Sequence, residues 1–310
     1  MFVRINFREE DELSKVITVI NYSDERFEKA RKYNSKSAID YGQADNVIEY
    51  SPNNLPDEYI ARFSYLDTRN NRITGRYGLW RPYIVLDAFK KIKEDDYLCY
   101  SDAGLYFINS IRLLVRRMEE ESKDIMVFGL PFVEKQWTKG DVFEYFEANN
   151  TEIKDSPQIM STIFLAKKNN NTIHFFENFK LAAENAPSLF TDEKNQGSIP
   201  NDPIFIENRH NQSVFSVLCK KNKIEVFRDP SEYGVKPMLY KYLLPKAQFI
   251  KVSYKNSDYP QIIVHHRSKE IRKDVLLFAW IRQKCSPLIA VRLFQIGHYL
   301  KYMFKKDKWG

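Results

Sequence analysis

One stretch, Asp95-Asp96-Tyr97-Leu98-Cys99-Tyr100-Ser101-Asp102-Ala103-Gly104, constrains the fold more than any other part of this chain. Tyr97 to Tyr100 is an aromatic and apolar run after a charged one, the pattern of a short buried strand. Ser101-Asp102-Ala103-Gly104 follows, small residues that can turn sharply. Helical spacing then resumes at Phe107, Ile108, Ile111, Leu114, Val115 and Met118. The order predicted is therefore strand, tight turn, helix. A carboxylate at the carboxyl end of a buried strand stands where open α/β sheets bind ligands. Small neighbours let a phosphate or a cation approach the backbone. The plainer alternative is that Asp102 only caps the following helix.

The same alternation of short apolar runs and helical spacing continues along the chain. Val16 to Ile20 predicts a first buried strand, with Asn21-Tyr22-Ser23-Asp24 as its ligand-facing loop. A helix carrying Phe27 and Ala30 follows, and Ser37 to Tyr41 is expected to begin another element. Asn46 to Tyr50 reads as the second strand, and Ser51-Pro52-Asn53-Asn54-Leu55-Pro56 as a loop. Asp67 to Gly75 is a polar loop. Pro82 suits the first turn of a helix, whose apolar face runs through Val85, Phe89 and Ile92. Ile125 to Leu130 is a strand closed by Pro131. A helix with Val142, Phe143 and Phe146 comes next, then a strand at Ser161 to Ala166 and a helix at Ile173 to Asn185. Glu193 to Pro200 is expected to be a mobile loop. Gln212 to Lys220 reads as a helix, Ile224 to Phe227 as a short strand, and Ile262 to His266 as a late strand. Such alternation argues for an α/β fold in layers.

Composition narrows the class. A chain of 310 residues with 15% aromatics and only 10 Gly is ample for a packed core and is not a disordered one. The formal charge of +7 favours anionic partners: nucleic acid, an acidic membrane surface or a phosphorylated substrate. Cys99, Cys219 and Cys285 are scattered and lack paired spacing, which suggests neither a disulfide framework nor a zinc site. A reducing, cytoplasmic setting is expected. The first ten residues are charged too early for a signal peptide. Val275 to Ile281, the strongest apolar run near the C-terminus, is too short to span a bilayer.

The last stretch, 269–310, has a different texture. Leu288, Val291, Phe294 and Leu300 share a broad face, while Arg292, Lys301, Lys305 and Lys306 carry charge. Helices of this kind lie on an anionic membrane or pack as a pair on the core. The chain therefore divides into an α/β domain over 1–268 and an amphipathic helical tail over 269–310.

Four stretches together go beyond generic α/β. They are Gly78-Leu79-Trp80-Arg81-Pro82-Tyr83-Ile84, Tyr100-Ser101-Asp102-Ala103-Gly104, Asn208-Arg209-His210-Asn211-Gln212-Ser213-Val214-Phe215-Ser216 and His265-His266-Arg267. In order and spacing they resemble bacterial capsule and lipopolysaccharide glycosyltransferases of the GT-A type. One such group has W-x-W-K-P-Y-like, Y-x-D-A-G and R-H-D-Q-S segments. The resemblance covers roughly residues 15 to 268.

It implies a GT-A-like nucleotide-binding α/β domain, with a mixed central sheet flanked by helices. It also implies transfer of a sugar, hexosyltransferase-like, from a nucleotide-sugar donor to a glycan or lipid-linked glycan acceptor. In such enzymes a D-x-D motif holds a divalent cation against the diphosphate. Asp102 matches its first acid, but Gly104 occupies the second acid position. The implied cofactor is Mn²⁺ or Mg²⁺, both oxygen-seeking, with Asp102 and His265 or His266 as ligands. Tyr22, Arg81, Ser101, Asp102, Gly104, His210 and Arg267 would contact the nucleotide sugar, Arg267 and Arg81 through phosphate. Asn211 stands where the family has an acid, so a base is expected elsewhere; Glu207 and Asp202 are the nearest carboxylates. Asp102, Glu207, Asn211 and Gln212 are the candidate catalytic residues, the amides as partners for sugar hydroxyls. His210 has a plainer role as a helix cap, Arg81 as a helix-start charge, and Trp80 and Tyr83 as core.

A strand sends consecutive side chains to opposite faces, so only one of His265 and His266 is expected to face the site. The implied setting is the cytoplasm, peripheral at the inner face of the membrane. Two rivals stand beside this one. The first is a basic nucleic-acid-binding protein, which lacks any signature motif here; no nucleic-acid partner is expected. The second is a degenerate transferase fold that binds glycan without turnover.

Overall fold

The computed structural model describes residues 15–63 and 77–266, with Lys269, Ile289, Arg292 and Ile296 besides. Nine strands are named among them. They are β1 (Ile17–Tyr22), β2 (Asn46–Tyr50), β3 (Tyr97–Ser101), β4 (Leu105–Phe107), β5 (Ile125–Val133), β6 (Pro157–Ile159), β7 (Ile163–Lys167), β8 (Val226–Arg228) and β9 (Ile263–His265). The helices are α1 (Glu28–Asp40), α2 (Asp57–Phe63), α3 (Arg81–Lys91), α4 (Arg112–Glu120), α5 (Gly140–Tyr145), α6 (Thr151–Lys154), α7 (Asn170–Asn185), α8 (Asn211–Lys221), α9 (Glu232–Val235) and α10 (Leu239–Leu243). The fold is mixed α/β, a central mixed sheet flanked by helices.

The sheet has the order β2-β1-β3-β7-β5-β6, with β8 also on β5. β2 and β3 both run parallel to β1, and β7 is antiparallel to β3 and to β5. Side-chain alternation sorts each strand between two cores. Leu98, Tyr100, Val127 and Phe164 join α3, α7 and α8 on one face. Tyr97, Cys99, Phe128 and Leu165 join α1, α4 and β9 on the other. Each large side chain fully buried in this way contributes about 1.5–3 kcal/mol. Because β2 and β3 lie on opposite sides of β1, the chain reverses direction across the sheet there. The crevice at the carboxyl ends of β1 and β3 is thus a topological switch point.

Several expectations need correction. No helix follows Gly104 directly. Leu105 and Phe107 form β4, paired antiparallel with His265 and Ile263, and the helix begins only at Arg112. Phe107, Ile108 and Ile111 fit helical spacing while Leu105 and Phe107 fit a two-residue strand period, and the distant partner strand decides. Asp102 therefore caps no helix; its carbonyl receives the Leu105 N–H. Strand β5 does not stop at Pro131 but continues to Val133. Its register against β6 shifts between Gly129 and Val133, the irregularity that tolerates a proline. Ser37 to Tyr41 begins nothing new: Ser37 and Ala38 close the buried stripe of α1 that starts at Ala30. Glu193 to Pro200 forms no helix or strand, yet it is held rather than loose. Asp141 accepts the Gln196 and Gly197 N–H groups, and Ser198 Oγ donates to Glu144 at 2.7 Å. The loop expected at Asp67 to Gly75 and the helices expected in 269–310 lie outside the described residues, apart from isolated positions.

Candidate active site

A cavity of about 880 Å³ opens at the switch point, within the range of small-ligand sites. Its walls come from the carboxyl ends of β1 (Tyr22, Ser23, Asp24), β3 (Asp102, Ala103, Gly104) and β5 (Leu130, Phe132). The turn before β7 adds Met160 to Thr162, the approach to α8 adds Glu207 to Gln212, and β9 adds His265. Trp80 and Arg81 line it from the start of α3. Parts of all four stretches singled out in the sequence thus meet in one space.

Arg81 ties three of its walls together. Its Nη2 donates to Asp102 Oδ1 at 3.0 Å. Its Nη1 donates to the Ser161 carbonyl at 2.8 Å, to Ser161 Oγ at 2.6 Å and to Asn211 Oδ1 at 2.5 Å. The guanidinium also lies 4.4 Å from the Tyr100 ring centroid, a cation–π contact. With its side chain only 6% exposed, Arg81 acts as a clamp through its two Nη groups, while its buried Nε–H meets no acceptor among the described residues.

Asp102 receives a second bond on the same oxygen, from the Tyr100 hydroxyl at 2.5 Å. Among the described residues no hydrogen bond reaches its Oδ2, and the side chain is 34% exposed to the cavity. Burial of the carboxyl pushes its pKa up, and the Arg81 charge and the Tyr100 hydrogen bond offset this only in part.

Asn211 is fixed on both sides. Its Oδ1 accepts from Arg81 and Ser161, and its Nδ2 donates to the Tyr77 carbonyl at 3.2 Å. An amide cannot take a proton as a base, and this one serves the clamp. Gly78 makes room for it: φ is +69°, and a Cβ there would lie 2.2 Å from Asn211 Nδ2. Gln212 Nε2 donates to Gln158 Oε1 at 2.9 Å.

His210 precedes α8 at φ 55°, ψ −127°, backbone that non-glycine residues seldom adopt. Its Nε2 is 2.8 Å from Asp192 Oδ1, and it caps no helix through its side chain. Tyr22 stacks on Trp80 with ring centroids 3.9 Å apart, and burial pushes its hydroxyl pKa up.

The remaining candidates separate. Glu207 stands at the rim, 60% exposed, with Arg209 Nε at 3.9 Å. Asp202 does not line the cavity; it pairs with Lys135 and Lys154. Ser101 is fully buried and receives the Asn34 side-chain amide at 2.8 Å, away from the cavity surface. Tyr83 donates to Glu184 and packs on Tyr59 and Phe63. His265 lines the cavity and His266 does not, as strand alternation requires. Arg267 lies outside the described residues. Sequence reasoning did not single out Ser161, Asp192 or Arg26, the last of which lines the cavity and pairs with Asp24. Arg26 carried a signal, lying two residues beyond the loop after β1, whereas Ser161 and Asp192 had none.

The donor set does not fit a metal held by the protein alone. Asp102 offers one open oxygen, the second acid position is Gly104, and among the described residues His265 is the one late histidine on the cavity. Among the described residues no group of three or more His, Cys, Asp or Glu is placed to hold a metal ion.

No family model matches this chain, and no curated protein matches it. Among solved structures it is similar in outline to the apo form of mouse xyloside xylosyltransferase 1, at 10% identity and a TM-score of 0.43, covering 83% of this chain and 99% of the other. It is similar to the galactosyltransferase LgtC in complex with donor and acceptor sugar analogs, at 11% identity and a TM-score of 0.44, covering 86% and 93%. It is also similar to the glycosyltransferase GlyE of Streptococcus pneumoniae, at 12% identity and a TM-score of 0.40, covering 92% of this chain and 64% of the other.

Proposed function

We propose that this protein is a GT-A-like glycosyltransferase that moves a sugar from a nucleotide-sugar donor to a glycan acceptor in bacterial surface polysaccharide synthesis. One observation carries the proposal. Trp80-Arg81, Asp102-Ala103-Gly104, Asn208 to Gln212 and His265 are scattered through the sequence, yet they line one cavity at the switch point of the sheet. These are the stretches on which the resemblance to capsule and lipopolysaccharide enzymes rests.

The roles follow from position. The nucleotide lies toward the loop after β1, against the Tyr22–Trp80 stack. The donor sugar lies over Asp102, whose open Oδ2 accepts from its hydroxyls while Arg81 fixes the carboxylate. Such positioning raises rate by holding the reacting carbon in line. In the transfer, an acceptor hydroxyl oxygen bonds to the anomeric carbon, and the bond from that carbon to the diphosphate breaks. The electron pair leaves with the diphosphate, and the hydroxyl proton must go to a base. Glu207 stands at the rim where an acceptor enters. No step is routed through a metal; an ion beside Asp102 would need most of its ligands from phosphate and water.

A binder that does not turn over is the second reading, favoured by Gly104 and by the bond between Arg81 and Asp102. Incubation with a panel of nucleotide sugars separates the two. Slow release of nucleoside diphosphate, lost in Asp102→Ala, is expected of the enzyme. Tight binding of a glycan with no release from any donor would make it a binder.

A further inference from the structure

We propose that the segment from Tyr233 to Ser257 is a docking surface for an anionic lipid bilayer. This stretch contains five lysines and no acidic residue, in a chain with 41 Asp and Glu among 310 residues. Lys241, Lys246, Lys251 and Lys255 are exposed. None of these four is in an ion pair among the described residues, and the nearest acids in the sequence, Glu232 and Asp258, lie just outside the segment. Beside them, Val235 is 46% and Met238 53% exposed, apolar side chains of the kind that enter the acyl boundary.

The backbone beneath is pinned. Tyr233 stacks on Tyr240 at 4.6 Å, and Phe249 packs on Phe132 at 5.6 Å. The Ile250 N–H donates to the Pro131 carbonyl at 2.9 Å. Gln136 holds the Lys246 carbonyl and the Gln248 N–H. The lysines are thus carried outward on a fixed edge of the fold. Tyr240 and Leu244 of the same segment line the cavity, so the segment that carries the lysines also forms part of the cavity wall. Beyond β9 the sequence stays basic, with ten Lys and Arg against three Asp and Glu in 269–310.

Charge complementarity selects an anionic partner, and two features select lipid over nucleic acid. Lysine offers a point charge without the fork that reads base edges. The Tyr233 and Tyr240 rings, which base stacking would need exposed, are buried. A bilayer docked here would hold a lipid-linked acceptor near the segment that forms part of the cavity wall; only that consequence rests on the transferase reading.

The test is flotation of the full chain with mixed phosphatidylglycerol–phosphatidylcholine vesicles and with pure phosphatidylcholine vesicles. Binding to the anionic vesicles alone, weakening steeply with salt, is expected. The variant K241E/K246E/K251E/K255E, all at exposed positions, is expected to bind about tenfold or more weakly with an unchanged melting temperature. Met238→Ser is expected to weaken binding to the same vesicles. Undiminished binding by the quadruple variant overturns the proposal, as does equal binding to neutral vesicles or tighter binding to an oligonucleotide. Nucleotide-sugar hydrolysis is measured on the same samples. Its absence in every sample would count against the transferase and leave the docking result standing.

Discussion

Arg81 Nη2 lies 3.0 Å from Asp102 Oδ1, and the same guanidinium reaches Asn211 Oδ1 through its other nitrogen at 2.5 Å. One cation thus sets the position of two side chains that line the cavity. An Arg–carboxylate bond of this kind orients as well as stabilises.

Replacing Asp102 by Asn removes the charge and keeps the shape. Burial raises the Asp102 pKa above its ordinary 3.8, so the folded state binds this proton more tightly than the unfolded chain. Stability from this group is therefore greatest below the unfolded pKa and falls as pH rises through the folded one. Relative to the parent, Asp102→Asn should gain stability as pH rises across that window, while transfer falls at least about a hundredfold. Melting curves at several pH values and initial rates check this. A parent-like rate would take Asp102 out of the site.

Arg81→Met leaves the Ser161 carbonyl without this donor and leaves Asp102 and Asn211 with one bond fewer, each keeping the bond from Tyr100 or Ser161. The expected loss is about 2–3 kcal/mol, the cost of breaking a buried charge pair and its hydrogen bonds. A double-mutant cycle with Asp102→Asn should show coupling of about 1 kcal/mol or more. Strict additivity in urea unfolding would mean that the bond does not hold the carboxylate.

Gly78→Ala tests the clamp from the backbone side. The φ of +69° and a Cβ 2.2 Å from Asn211 Nδ2 make the change strained and displacing. A loss of roughly 1–3 kcal/mol is expected, with activity reduced beyond what unfolding explains. Parent-like melting and turnover would show that Asn211 is free to move.

His265 and His266 should behave unequally. His265 lines the cavity, and His266 turns away with 9% exposure. His265→Ala should cost at least about tenfold in kcat/KM, or about 1.4 kcal/mol. His266→Ala should cost much less, provided both variants melt like the parent. Equal small losses would detach β9 from the site.

Legibility in the sequence followed the range of the interactions. Asn46 to Tyr50 and the helix beginning beside Pro82 were readable because period and punctuation are local. β4 was not, because Leu105 and Phe107 become a strand only by pairing with Ile263 and His265. The stretches around Arg81, Asp102 and Asn211 stood out singly. Their joining could not be read, since Arg81 and Asn211 are 130 positions apart. Ser161 fell inside an expected strand, and its service to the clamp left no mark on periodicity. The lysines from Tyr233 to Ser257 were not singled out in the sequence, because no local period marks them, and their place on a segment that forms part of the cavity wall required the fold.

The most direct test of the central claim is a thermal-shift panel of UDP, GDP, CMP and their sugars, with and without Mn²⁺, on the parent and on Asp102→Ala. A nucleotide at a hundredfold its Kd stabilises by about 2.7 kcal/mol, a shift of roughly a few degrees for a chain of this size. One nucleotide and its sugar should raise the parent's melting temperature, with a smaller rise for the sugar in Asp102→Ala. A flat response to every compound, with and without the ion, would contradict a donor site in this cavity.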